Sequence, residues 1–179
     1  MKKYTTKLYK ETGLLRITAL IDIPYIGIRI GDRGGLIEKE SNLSHEGNCW
    51  VGVDARVSDD VRVFGNACVS GDAQVADNTR VFEDACLSGH AWVIGNAWVS
   101  GGAEVTGSRH VITVGPVGSR HSMLTLFKTK TGSSVTTGCF GGTLDEFEAA
   151  VKEKPEGDPH RNVYESLITT FRQIGRAHV

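Results

Sequence analysis

Excess positive charge, paired cysteines, proline and long apolar runs are all scarce in this chain of 179 residues. With 20 Lys and Arg against 21 Asp and Glu, the net charge is −1, so no basic stripe is available for a nucleic-acid backbone and no nucleic-acid partner is expected. No apolar run approaches the length of a membrane span. The start, Met1-Lys2-Lys3-Tyr4-Thr5-Thr6, lacks the apolar region of a signal peptide, so a cytoplasmic protein without a membrane partner is expected. The four cysteines (Cys49, Cys68, Cys86, Cys139) contain no C-x-x-C pair, so no metal site is expected either.

What the chain has instead is a count of six. Valine or leucine recurs at every sixth position from Val51 to Val117, with Leu87 the one leucine. Four residues after each of the first nine comes a small or β-branched residue, from Ala55 and Val61 to Ala97 and Ala103. Polar pairs such as Gly65-Asn66, Gly71-Asp72, Asp77-Asn78 and Gly95-Asn96 lie between. A fixed internal period decides the architecture before any other feature. Each hexad supplies a short strand with one large and one small inward side chain. Gly, Asn or Asp then makes the turn, because these residues tolerate positive φ or bond their own backbone. Three hexads close a triangular coil of about 18 residues, and twelve hexads make about four coils with strands stacked in parallel. The fold class expected is mainly β: a short left-handed parallel β-helix with an N-terminal β cap and a small C-terminal α+β domain.

The chain divides into an N-terminal cap (1–42), the β-helix (43–117), a hairpin-plus-helices domain (118–172) and a tail (173–179). The tail, Gln173-Ile174-Gly175-Arg176-Ala177-His178-Val179, looks like a translated sequencing adapter and is left out of the functional reading. In the cap, Leu14–Ile21 and Ile26–Ile30 read as strands that cover the open end of the first coil. The glycine-rich Gly31-Asp32-Arg33-Gly34-Gly35-Leu36 reads as a tight turn into it. Beyond the coil, Val111–Val114, Leu124–Lys130 and Val135–Phe140 read as strands, with a turn at Gly132-Ser133-Ser134. Thr143-Leu144-Asp145-Glu146 is a capping box for a helix burying Leu144, Phe147, Ala150 and Val151 and stopped by Pro155. A second helix, from Asp158-Pro159, is expected to bury Val163, Leu167 and Phe171.

An 18-residue coil stacks outward side chains into ladders. One face carries Cys68, Ser70, Cys86, Ser88, Glu104 and Thr106. Cys68 and Cys86 sit in register about 4.8 Å apart, near enough for a disulfide, although a reducing cytosol favours two free thiols. A second face carries Arg56, Gln74, Trp92, Ile94, His110 and Ile112, and the third Arg62, Phe64, Arg80, Phe82 and Trp98. Trp92, Ile94 and Trp98 cannot all turn inward, so they mark an apolar interface. Arg62 and Arg80, stacked beside Phe64 and Phe82, read either as an anion or nucleotide site or as partners of carboxylates on a neighbouring subunit or the cap.

The segments Gly31–Glu38 and Asn42–Val51, with the hexads after them, resemble a family of hexapeptide-repeat left-handed β-helix proteins from phages, prophages and gut bacteria. Members are described as transferases or polymer-forming proteins. Here the glycine falls one place later in the hexad than is usual in that family. The resemblance implies a homotrimer assembled through the coil faces. It also implies two kinds of activity. One is capture, without catalysis, of a small anionic ligand, such as a nucleotide, or of a host protein, as in counter-defence; the other is acyl transfer from acyl-CoA with a histidine base.

For capture, Gly115–His121 and Gly138–Gly142 flank the C-terminal hairpin. Ser119, Arg120, Lys128, Lys130 and Cys139, helped by the start of the Thr143 helix, read either as a pocket for an anion or as parts of the tight turns that a compact hairpin requires. For acyl transfer the base is His90, in the ladder of Asp54 and Asp72, or His121. No hexad extrudes the loop that such enzymes use, and His90 also reads as a plain turn residue. No cofactor is expected unless acyl-CoA is used, and a purely structural assembly role is the third reading.

Overall fold

The computed structural model describes residues 1–177, with side chains through Ile174. His178 and Val179, the end of the adapter-like tail, lie outside the described residues. The centre is a parallel β-solenoid of four coils. Its first side stacks β3 (Arg33–Ile37), β5 (Arg56–Val57), β8 (Gln74–Val75) and β11 (Trp92–Val93). A second side stacks β4 (Trp50–Val51), β7 (Cys68–Val69), β10 (Cys86–His90) and β13 (Glu104–Gly107). The third stacks β6 (Arg62–Val63), β9 (Arg80–Val81) and β12 (Trp98–Val99), with Leu43 bridging in parallel to Val63.

Every inward aliphatic residue from Val51 to Val105 is buried, and so is each small partner from Ala55 to Ala103. The turn rule is sharper than the sequence suggested. Two places after the inward residue the backbone enters the left-handed region in eight successive hexads: Asp59, Gly65, Gly71, Asp77, Glu83, Gly89, Gly95 and Gly101. That conformation puts glycine one place later than the usual hexad, since only glycine enters it without strain. Close stacking adds a second demand at some turns. A Cβ on Gly65 would lie 2.9 Å from the Glu83 amide nitrogen, whereas one on Gly95 would meet nothing within 4 Å. Gly65→Ala is therefore expected to cost about 1–3 kcal/mol, and Gly95→Ala clearly less. Equal melting temperatures for the two variants would contradict this account.

The structure moves both ends of the coil. The first coil starts at Leu36 rather than after residue 42, because the stretch read as a tight glycine turn is β3, which pairs in parallel with β5. Its inward residues are Ile37, Leu43 and Val51, opposite Val57, Val63 and Val69 and spaced by six and then eight residues, so an unbroken period of six does not reveal them. Gly34 and Gly35 permit it: a Cβ on Gly35 would sit 2.3 Å from the Gly52 carbonyl oxygen. The cap itself is an antiparallel hairpin of β1 (Tyr4–Tyr9) and β2 (Leu14–Ala19) that continues the first side through β3. Ile26–Ile30 is not the second strand; a short 3₁₀ turn, Pro24–Ile26, leads into it and Ile28 bridges back to Ile23.

At the other end, Val111 and Val117 keep the spacing of six but leave the solenoid. They belong to β14 (Val111–Val117), antiparallel to β15 (Ser122–Thr129), so His110 and Ile112 are not on the coil ladder. β16 (Gly132–Thr137) and β17 (Phe140–Thr143) complete the sheet. Gly132–Ser134 is thus strand rather than turn, and Phe140–Gly142 belongs to β17. Phe127 is buried with the coil core and Thr129 bridges to Ala103, so this sheet closes the last coil.

Helix α1 (Leu144–Lys152) has the expected capping box and buries Leu144, Phe147 and Val151, while Ala150 is half-buried. In α2 (Pro159–Ala177) the buried stripe is Ile168 and Phe171, flanked by Tyr164 and Leu167. Val163 faces outward, because the edge-on contact of Tyr164 with Phe147, 5.3 Å between centroids, sets the rotation of the helix.

The N-terminal strand is held by His45. Its ring stacks on Tyr4 at 4.2 Å, Nδ1 accepts from the Lys3 amide at 3.2 Å, and Nε2 is buried without a partner. Burial, the largest influence, and the cations Lys2, Lys3 and the N-terminus push His45 below the ordinary histidine range, against an opposing pull from Glu40. A lowered folded-state pKa means the stabilisation is complete above the unfolded value of about 6.5 and is lost as pH falls through the folded one. The denaturation midpoint is expected to drop on acidification below about pH 6.5, with a shallower drop in His45→Asn. Parallel pH profiles for the two proteins would sink it.

Candidate functional site

Between the twisted sheet and the two helices lies a cavity of about 270 Å³. Four chain segments meet there. The turn after β14 brings Ser119 and Arg120, the turn before β17 brings Cys139, the C-terminal end of α1 leads to Lys154, and the first turn of α2 brings His160. Phe140, Phe147 and Tyr164 supply apolar wall, and Ser122 and Thr137 add hydroxyls. Among the described residues no carboxylate lines it. Arg120 Nη1 donates to Cys139 Sγ at 3.0 Å, which joins the two turns across the mouth.

Local rules place each group. Gly118 has φ of 72°, and the Tyr164 hydroxyl sits where a Cβ would be, 2.0 Å away, so the turn carrying Ser119 and Arg120 is pressed against α2. Asp158 caps α2 by accepting from the amides of His160 (2.7 Å) and Arg161 (3.1 Å), and those bonds hold its carboxyl below the usual range. Arg161 donates to the Lys154 carbonyl at 2.8 Å and pairs with Glu165, fixing the link between the helices. The cationic groups of the cavity are thus mounted on tied elements, which limits the entropy a ligand must pay to order them.

The structure brings together three of the sequence-derived ligand residues, Ser119, Arg120 and Cys139. It separates Lys128 and Lys130, which line a different recess of about 340 Å³ with Arg109 and His110. Lys128 is six residues along β15 from Ser122, roughly 20 Å at strand rise. Lys130 pairs with Glu104 at 3.3 Å. The start of the Thr143 helix does not serve the cavity either. The Glu146 carboxylate accepts from the Thr143 amide at 2.7 Å, and the Thr143 hydroxyl accepts from the Glu146 amide. Lys154, His160 and Tyr164 were missed; they reach the site only through the packing of α2 over the sheet.

On the solenoid, Arg62 and Arg80 are register partners, and Phe64 and Phe82 stack at 5.1 Å and nearly parallel. Arg80 lies over the Trp98 ring at 4.7 Å, which places its guanidinium on an indole rather than beside an anion. Trp98 is also held within the chain: its amide donates to Thr125 Oγ1 at 3.1 Å and its carbonyl accepts from Thr136. It is therefore a joint to the C-terminal sheet, and Trp92 and Ile94, 60% and 46% exposed, are the outward apolar pair.

Cys68 and Cys86 are register partners and both are free thiols. The hydrogen bond between them pulls Cys86 down to about 7 and pushes Cys68 up, since Cys68 keeps the shared proton. His90 is the last residue of β10 rather than a turn residue, with its side chain 87% exposed and Nδ1 3.5 Å from Asp72. His121 is exposed in the tight turn after β14, its amide donating to Gly118 O at 3.2 Å. Among the described residues no helix is long and apolar enough to cross a membrane. The sequence matches no known family model and no curated protein.

Proposed function

We propose that this is a binding protein whose C-terminal domain captures a small organic anion, with the solenoid as its rigid mount. One observation carries the reading: a cavity that gathers Arg120, Lys154 and His160 and has no carboxylate in its lining. The like charges of Arg120 and Lys154, brought together in a partly enclosed site, favour an anion that neutralises them, and His160 adds ring nitrogens that can bond to it. The volume suits a phosphate or carboxylate head with a short apolar or ring portion against Phe140 and Phe147. Acyl transfer from acyl-CoA draws no support from His90, exposed at the end of β10, or His121, exposed on a turn.

A homotrimer packed through the first side of the solenoid is part of this proposal, with Trp92 and Ile94 as its apolar centre. Native mass spectrometry tests assembly and retained ligand together. Titration calorimetry with inorganic phosphate, short dicarboxylates and nucleoside monophosphates tests the anion class. A trimer that becomes monomeric in Trp92→Glu, and heat of binding that disappears in Arg120→Gln, are the expected results. If none of the probes gives heat and the purified protein carries no extra mass, the binding reading fails. If wild type is a monomer, the assembly reading fails.

A further inference from the structure

Far from that cavity, the N-terminus buries a lysine against a cysteine. Lys3 is 1% exposed and Cys49 is fully buried. The Lys3 ammonium bonds to the carbonyls of Cys49 (2.8 Å), Gly47 (3.2 Å) and Glu46 (3.4 Å), and lies 3.1 Å from Cys49 Sγ. Among the described residues no carboxylate bonds to it. Buried lysines are ordinarily paired with an acid, and this one is paired with a thiol.

We propose that Lys3 and Cys49 form a covalent staple under oxidation, closed by a bond between Lys3 Nζ and Cys49 Sγ. The oxidant is a peroxide. It oxidises the thiol by two electrons to the sulfenic acid and is itself reduced, hydrogen peroxide giving water. The ammonium gives one proton to solvent, and the amine lone pair attacks sulfur. The N–S bond forms as the S–O bond breaks, and the hydroxide leaves with a second nitrogen proton as water. The product is a sulfenamide, lighter than the dithiol-reduced protein by two hydrogens.

Three features favour this fate for Cys49. The reacting atoms already stand at the separation of a near-attack pair, about 3–3.5 Å. Cys68 lies opposite Trp50 rather than Cys49, so no second thiol is in register to resolve the sulfenic acid as a disulfide. The ring of three carbonyls fixes the nitrogen in place while leaving sulfur as its only electrophilic neighbour. The bond would tie residue 3 to residue 49 and so pin β1 to the first coil.

The test uses the full chain in which Cys68, Cys86 and Cys139 are serine, treated with hydrogen peroxide in mildly alkaline buffer. Intact mass and peptide mapping follow, before and after dithiothreitol. The expected result is a mass lower by two hydrogens, a linked pair of peptides containing Lys3 and Cys49, and full reversal by dithiothreitol. Lys3→Arg keeps donors but has no attacking amine, and its Cys49 should run on to sulfinic acid. Unlinked sulfinic acid in the parent chain overturns the proposal, as does a Cys49 that stays a thiol or a cross-link that persists in Lys3→Arg. A linked pair carrying one added oxygen also overturns the direct bond, assigning an oxygen bridge instead. Because the parent chain alone decides the bond, a Lys3→Arg variant that fails to fold leaves the test intact.

Discussion

Trp50→Ala is expected to lower stability by about 3–5 kcal/mol, the range for truncating a fully buried aromatic residue. Trp50 is 1% exposed and sits in the first coil, whose spacing departs from six, packed with Tyr4, Ile17, Ile37 and Val51. Its neighbour cannot fill the gap. A Cβ on Gly34 would already be 2.7 Å from the indole, and β3 has no side chain there to swing inward. The indole Nε1 is buried without a partner, so Trp50→Phe removes an unsatisfied donor and should recover most of the loss. Because a solenoid unfolds through nearest-neighbour contacts, the loss should concentrate in the cap and first coil. Amide exchange read along the chain checks this: β1–β5 should lose protection first in Trp50→Ala, while β12 and β13 hold. Uniform loss, or a change below about 1 kcal/mol, would refute it.

Arg120→Gln is expected to weaken anion binding by about 10- to 100-fold, the equivalent of one charged hydrogen bond of roughly 1.5–3 kcal/mol. The fold should barely notice, since Arg120 is exposed and its bond to Cys139 spans two turns at the cavity mouth. Lys154→Gln should weaken binding less, because a flexible ammonium lacks the paired donors of a guanidinium. The same titrations that define the ligand class measure both. An Arg120→Gln protein that binds like wild type would move the anion elsewhere, with the recess of Lys128 and Lys130 the first alternative to probe.

Much of this architecture is written locally, and the rest is not. From Val57 to Val105 each inward residue, its small partner and its turn fall within six residues, so a single sequence displays them. Ile37, Leu43 and Val51 do the same work at an uneven spacing and are recognised only by the strands they pair with. Val111 and Val117 show the converse: they keep the spacing but pair antiparallel, since spacing cannot encode strand direction. β17 escaped notice because Phe140-Gly141-Gly142-Thr143 has too few side chains to alternate. The site divides the same way. Glycines on either side of the hairpin flagged Ser119, Arg120 and Cys139, whereas Lys154 and His160 depend on how α2 rotates over the sheet, a choice made by Tyr164, Ile168 and Phe171.

The coil repeats in register after 18 residues, as the Asn48–Asn66 and Asn66–Asp84 bonds record. It can therefore serve as a ruler. Deleting one full repeat from the interior should leave both ends chemically unchanged and bring them closer by about 4.8 Å. Insertion of a repeat should part them by the same step. The distance between the N-terminal sheet and the anion cavity is then a quantised property of the gene, adjustable in units of one coil without redesign of either end.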